Sequence, residues 1–141
     1  MKKIIVTGGA GYIGSHTVVA LAEAGYLPVV IDNFANSDEG VIGRIQSIIE
    51  KEVSVHKIDC TDESAVKEAI EKEGDIAGII HFAAHKAVSI SVERPLAYYR
   101  NNVGALISVM KSVQSLENFS FVFSSSATVY GQPDSLPVSE N

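Results

Sequence analysis

Residues 3–14 read Lys-Ile-Ile-Val-Thr-Gly-Gly-Ala-Gly-Tyr-Ile-Gly. A β-branched run enters a glycine-rich turn, and the turn opens into a helical pattern over Tyr12–Ala24 that Gly25 stops. Gly9, Gly11 and Gly14 satisfy G-x-G-x-x-G, while Gly8, Gly11 and Gly14 satisfy G-x-x-G-x-x-G. Glycine there permits a tight turn, contact between a pyrophosphate and bare backbone, and close approach of helix to strand. The spacing alone is common. A strand before it and a helix after it are the context that makes it a dinucleotide-binding unit.

Working outward, short apolar runs alternate with longer helical patterns. Lys3–Thr7, Leu27–Asp32, Val53–Asp59, Ile76–Ala83 and Phe119–Ser124 read as strands, nearly continuous in hydrophobicity as strands covered on both faces are. In the first helix Ile13, Thr17, Ala20, Leu21 and Ala24 share a stripe, and Glu39–Lys51 carries Val41, Ile45, Ile48 and Ile49. Asp62–Lys72 is a third helix, with Thr61 as its N-cap and Gly74 as its stop. Pro95–Leu116 reads as one long helix with proline in its first turn. The βαβαβαβαβ order predicts an α/β fold, a doubly wound parallel sheet of Rossmann type in the order 3-2-1-4-5. Such a sheet ordinarily continues past a fifth strand, and the turn-rich Gly131–Asn141 does not supply one.

Asp32 ends the second strand, eighteen residues after Gly14. A carboxylate there accepts ribose hydroxyls and repels a 2′-phosphate, which predicts NAD rather than NADP as cofactor.

Composition sets the outer bounds. A 141-residue chain suffices for one core, and seventeen acids against eleven bases (net charge −6) leave no basic cluster for nucleic acid or an anionic membrane. A lone cysteine, Cys60, excludes an internal disulfide, and no apolar run nears the ~20 residues of a membrane span. A cytoplasmic location is expected. His16, His56, His81 and His85 lack metal-ligand spacing, so no metal is assigned.

Five stretches resemble the extended short-chain dehydrogenase/reductases that act on sugar nucleotides, and within them the UDP-hexose 4-epimerases. They are Gly-Gly-Ala-Gly-Tyr-Ile-Gly-Ser-His-Thr (8–17), Asp-Asn-Phe-Ala-Asn-Ser (32–37), His-Phe-Ala-Ala-His-Lys-Ala-Val (81–88), Tyr-Tyr-Arg-Asn-Asn-Val (98–103) and Phe-Ser-Ser-Ser-Ala-Thr-Val-Tyr-Gly (123–131). The resemblance implies backbone N–H donors at Tyr12 and Ile13 for the pyrophosphate of NAD. It implies Asp32, Asn33, Asn36 and Ser37 around the adenosine ribose, and Asp59 and Cys60 beside the adenine. Phe82 and Ala83 would pass under the cofactor, Lys86 would reach its pyrophosphate or nicotinamide ribose, and Asn101 and Ser124 would contact it. Ser126 is the implied catalytic hydroxyl, bonding the 4-oxygen of a UDP-hexose while hydride moves from C4 to NAD and back to the other face.

One departure from the family pattern matters. Its base is the tyrosine of Tyr-x-x-x-Lys, yet Tyr98, Tyr99 and Tyr130 are followed four residues on by Asn102, Val103 and Asp134. The expectation is therefore that residues 1–141 are an incomplete NAD-binding domain, with the base and the carboxyl-terminal substrate domain outside it, inactive alone. An uncovered fifth strand predicts a homodimer or larger self-association. A 4,6-dehydratase would carry Asp-Glu where this chain has Ala127-Thr128 and ranks lower; a non-catalytic NAD-binding module or gene remnant is the alternative of another class.

Overall fold

The computed structural model describes residues 1–133 and 136–138. Five parallel strands form one sheet in the order β3-β2-β1-β4-β5: β1 Lys3–Thr7, β2 Leu27–Asp32, β3 Ser54–Lys57, β4 Ile76–His81 and β5 Ser120–Phe123. The expected doubly wound order is the observed one. Helices α1 Tyr12–Glu23, α2 Gly40–Ile49 and α3 Glu63–Glu73 join the first four strands.

Alternation along the buried strands feeds two cores. Ile5, Val29, Ile31 and Ile79 pack against Val66, Ala69 and Ile70 of α3 and, from the last helix, Ala105, Val109 and Val113. Val6 and Val30 point the other way, onto Val18 of α1 and Ile45 of α2. Each such side chain contributes roughly 1.5–3 kcal/mol when removed from water, enough to hold both layers on the sheet.

Four sequence expectations need correction. The inward stripe of α1 is Gly14, Val18 and half-buried Leu21, and Ile13 is 60% exposed because the first turn faces the open strand ends. On α2 the exposed residue is Ile48, and Ile42 packs inward with Ile45 and Ile49. Asp62, not Thr61, caps α3: its carboxylate accepts the Ala65 N–H at 3.1 Å, whereas the Thr61 hydroxyl is spent on Asp59 at 2.8 Å. The long helix from Pro95 is continuous, but it is widened in its middle and ends at Ser112 rather than Leu116. It runs as α5 Pro95–Tyr98, a π-helical turn Tyr99–Val103 and α6 Gly104–Ser112, preceded by a short helix, α4 Val88–Glu93, that the sequence did not suggest.

Parallel register aligns the carboxyl ends of the strands. Thr7 sits opposite Ile31 and His81, and His81 opposite Phe123. The ladder then runs one residue further: Gly8 N–H donates to Ile31 O, Phe82 N–H to Thr7 O, Ser124 N–H to His81 O and Ile58 N–H to Asp32 O. The loops after β1, β3, β4 and β5 therefore each start from a pinned residue. Among the described residues β5 pairs only with β4, and its Val122 and Phe123, on opposite faces of the sheet, are each about half exposed.

Candidate functional site

A cleft of about 510 Å³ opens along that edge. Its floor is the glycine turn. Gly8 adopts φ +69°, and a Cβ there would lie 2.8 Å from the Ala83 backbone nitrogen, so this loop meets the loop after β4 backbone to backbone. A Cβ on Gly14 would sit 2.2 Å from Gly8 O, so α1 approaches the turn more closely than any side chain permits. The first-turn amides of α1, Tyr12 and Ile13 among them, have no intrahelical acceptor and carry the positive end of the helix dipole. A bare-backbone cradle with unspent N–H donors suits a pyrophosphate.

Asp32 closes one side. Its Oδ2 accepts the Ala10 N–H at 3.0 Å, and Oδ1 accepts the Phe34 N–H at 2.8 Å and the Ser37 hydroxyl at 3.3 Å. An ionised carboxylate has about four acceptor positions, so one remains on Oδ2, and a second requires Ser37 to turn away. Asn33 donates to Asp59 at 3.1 Å across the mouth. The Thr61 backbone N–H, with the Thr61 and Asn33 side chains, holds the Asp59 carboxyl below its ordinary range against the opposing effect of burial. Cys60 is 5% exposed; burial, then the charges of Asp59 and Asp32, push its thiol up to about 12. That makes it an apolar wall rather than a nucleophile.

Across the cleft, Asn102 clamps the loop after β4. Its Oδ1 accepts the His85 N–H at 2.8 Å and its Nδ2 donates to His85 O at 3.1 Å. The neighbouring Asn101 donates to Asn102 Oδ1 at 2.9 Å and itself lines the cleft. The π-helical turn brings both amides to one side, a widening of the helix that often marks functional sites. Beneath them His81 is buried, with Nδ1 2.7 Å from the Thr7 hydroxyl. Burial, then the charge of Lys86, lowers its pKa to about 4, so the ring is neutral at physiological pH.

Apart from Gly9, which packs against Val6 and Val30, the candidate site residues named from sequence line this cleft: Gly8, Gly11, Tyr12, Ile13, Gly14, Asp32, Asn33, Asn36, Ser37, Asp59, Cys60, Phe82, Ala83, Lys86, Asn101, Ser124 and Ser126. Ser126 lies at the end farthest along the sheet, past β5. Sequence reasoning missed Ala35, Ile58, Ala84, His85, Ala105 and Ser125. Ala35, Ala84, His85 and Ser125 stood inside stretches already quoted; Ile58 and Ala105 arrive only through tertiary packing. Among the described residues no group of three or more His, Cys, Asp or Glu side chains could hold a metal ion, and no helix is long and apolar enough to cross a membrane.

A family model described as GDP-mannose 4,6 dehydratase matches residues 5–141. The chain belongs to that family. Within it, the chain is similar to UDP-glucose 4-epimerases over its whole length. That of Dictyostelium discoideum is 48% identical over 139 residues, covering 99% of this chain and 40% of the relative. Among solved structures, UDP-glucose-4-epimerase from Stenotrophomonas maltophila with bound NAD and formylated UDP-arabinopyranose is 39% identical with a TM-score of 0.92. The match covers 99% of this chain and 41% of that one. The Bifidobacterium longum enzyme, in complex with NAD+ and UDP, is 38% identical with a TM-score of 0.92 and the same coverage. The chain thus spans about two fifths of the length of the family members it matches.

Proposed function

We propose that this chain is the dinucleotide-binding, amino-terminal part of an NAD-dependent UDP-glucose 4-epimerase, which inverts C4 of a UDP-hexose. The observation that carries the reading is one cleft with a pyrophosphate cradle at Gly8–Gly14 and a serine hydroxyl, Ser126, at its far end. NAD, when bound, supplies the hydride acceptor and donor. Tyr12 and Ile13 hold the pyrophosphate through their amides, and Asp32, Asn33, Asn36 and Ser37 hold the adenosine ribose. Asp59 and Cys60 border the adenine, and Phe82 and Ala83 pass under the cofactor beside the glycine turn. Lys86, Asn101 and Ser124 face the nicotinamide half, while Ser126 bonds the sugar 4-oxygen.

The relatives support the epimerase, and the family model's description names a 4,6-dehydratase. Ala127 and Thr128 favour the epimerase, because neither can act as the acid–base pair that elimination of water requires. The base is placed outside residues 1–141, which contain no tyrosine followed four residues later by lysine. A homodimer is part of the proposal. It is supported by an exposed stripe of Leu96, Tyr99, Val103, Ile107 and Met110 at helical spacing along α5, the π-helical turn and α6. A cytoplasmic setting fits a single, buried, unpaired cysteine.

Incubation with UDP-galactose, followed by chromatography for UDP-glucose, tests the reading. The complete enzyme is expected to turn over and the 141-residue chain is not. Turnover by the chain in proportion to its concentration overturns the placement of the base. A complete enzyme that releases water from the sugar instead overturns the epimerase.

A further inference from the structure

The loop that carries Asn33, Asn36 and Ser37 runs from β2 to α2 and turns sharply at Phe34, whose φ is +56°. A bulky side chain rarely enters the left-handed region, so the turn depends on what holds it. The Phe34 N–H donates to Asp32 Oδ1 at 2.8 Å and the Ala35 N–H to Asn33 Oδ1 at 3.0 Å, which ties the first half of the loop to the end of β2. The second half is tied to α2. There Asp38 Oδ1 accepts the Gly40 N–H at 2.9 Å, and the Asp38 carboxylate lies 3.6 Å from the Arg44 guanidinium.

Lys57 spans the two halves from outside. It ends β3 in register with Asp32. Its Nζ stands 5.9 Å from the centre of the Phe34 ring and pairs with the carboxylate of Glu39, the residue just before α2. One ammonium therefore grips the loop at both ends, and Ala35, Asn36 and Ser37 of the cleft wall lie between the grips. Both Lys57 and Glu39 are exposed, so each contact alone shifts an equilibrium only a few-fold. Among the described residues, the other hydrogen bond across the loop is the Ser37 hydroxyl to Asp32, at 3.3 Å. The shared ammonium thus carries much of the closure.

We infer that Lys57 is a positioning residue for the dinucleotide: by gripping Phe34 and Glu39 together it holds Asn36 and Ser37, with Asn33 beside them, in the shape that receives the adenosine ribose. The chemistry rests on the NAD reading above; the geometry of the loop does not. An ammonium here could instead act by attracting the pyrophosphate directly. The two effects differ in sign when Glu39 is neutralised. Losing that anion leaves Lys57 more positive toward a ligand, which strengthens direct attraction, but it releases the grip, which weakens binding.

Titration calorimetry with NAD on the parent chain, Lys57→Met, Lys57→Arg and Glu39→Gln separates them. Lys57→Met keeps most of the stem and removes the charge, whereas arginine can make both the ion pair and the contact with the ring. Affinity is expected to fall about three- to fivefold in Lys57→Met and in Glu39→Gln, and to return to within about twofold of the parent in Lys57→Arg. Amide hydrogen exchange without ligand gives a second readout. The Phe34 and Ala35 N–H groups should exchange faster in Lys57→Met and Glu39→Gln, while Val30 and Ile31 of β2 keep their protection. Affinity in Glu39→Gln equal to or above the parent's, unchanged exchange at Phe34 and Ala35 in Lys57→Met, or equal loss of protection in β2 overturns the inference. A parent chain that does not bind NAD overturns the proposed function instead, while the exchange comparison still decides whether Lys57 holds the loop.

Discussion

Replacing Gly14 with alanine adds one methyl group at the tightest point of the cleft. Its Cβ would lie 2.2 Å from Gly8 O and 2.8 Å from Gly9 Cα, against 3.4 Å for an ordinary contact, so about 1.2 Å (3.4 − 2.2) of movement is required. Both neighbours are backbone. Gly8 cannot retreat, because its N–H bonds Ile31 O at 2.8 Å and its Cα already faces the Ala83 backbone. The start of α1 must lift instead, taking the Tyr12 and Ile13 amides with it. Overpacking of this kind costs roughly 1–3 kcal/mol, and the better helix propensity of alanine returns at most ~1 kcal/mol. A net loss of about 1–2 kcal/mol lowers Tm by roughly 2–8 °C in a domain of this size. NAD affinity should fall at least about tenfold, since amide bonds to a charged phosphate are lost. Gly43→Ala is the control: nothing lies within 4 Å of its Cβ in α2, so the same substitution should raise Tm by about 2–4 °C with NAD affinity unchanged. Scanning calorimetry and titration with NAD read both quantities. Equal Tm and equal affinity in Gly14→Ala and Gly43→Ala would refute the close-approach argument.

Three further outcomes are expected. Burial raises the Glu73 pKa, but bonds from Ser54, Lys3 and His56 and the Lys3 charge outweigh it and bring the group from 4.5 to about 2. A carboxylate whose native pKa lies below its unfolded value stabilises fully above pH 4.5, and that share, about 2–3 kcal/mol, is lost as pH falls toward 2. Urea unfolding of Glu73→Gln should lack this acid limb. His81 titrates from about 4 in the fold against 6.5 unfolded, so the stability of its neutral form is complete above pH 6.5 and declines from there toward 4; its imidazole NMR signals should hold their neutral shifts at pH 6. Cys60, with its thiol pushed to about 12, should resist a thiol reagent at pH 8 in the native protein and react at once in denaturant; rapid native labelling would contradict its burial.

The sheet order and the cleft were legible because they follow from local chemistry. The strand before Gly8, the glycine spacing and the acid at Asp32 define a unit whose parts are adjacent in sequence. The π-helical turn inside the long helix was not legible. Its residues have ordinary helical propensity, and the π-helical turn is stabilised where Asn102 brackets His85, a contact seventeen residues apart. The cap of α3 was misread for a related reason: Thr61 and Asp62 are both good caps, and the choice is made by Asp59, which engages the Thr61 hydroxyl first.

Titration calorimetry of the 141-residue chain with NAD, and in parallel with NADP, tests the central claim most directly. The cleft predicts saturable binding of one NAD per chain, weaker for NADP because Asp32 has no tolerance for a 2′-phosphate. Absence of saturable heat up to millimolar NAD, or NADP binding as tightly as NAD, would contradict the account.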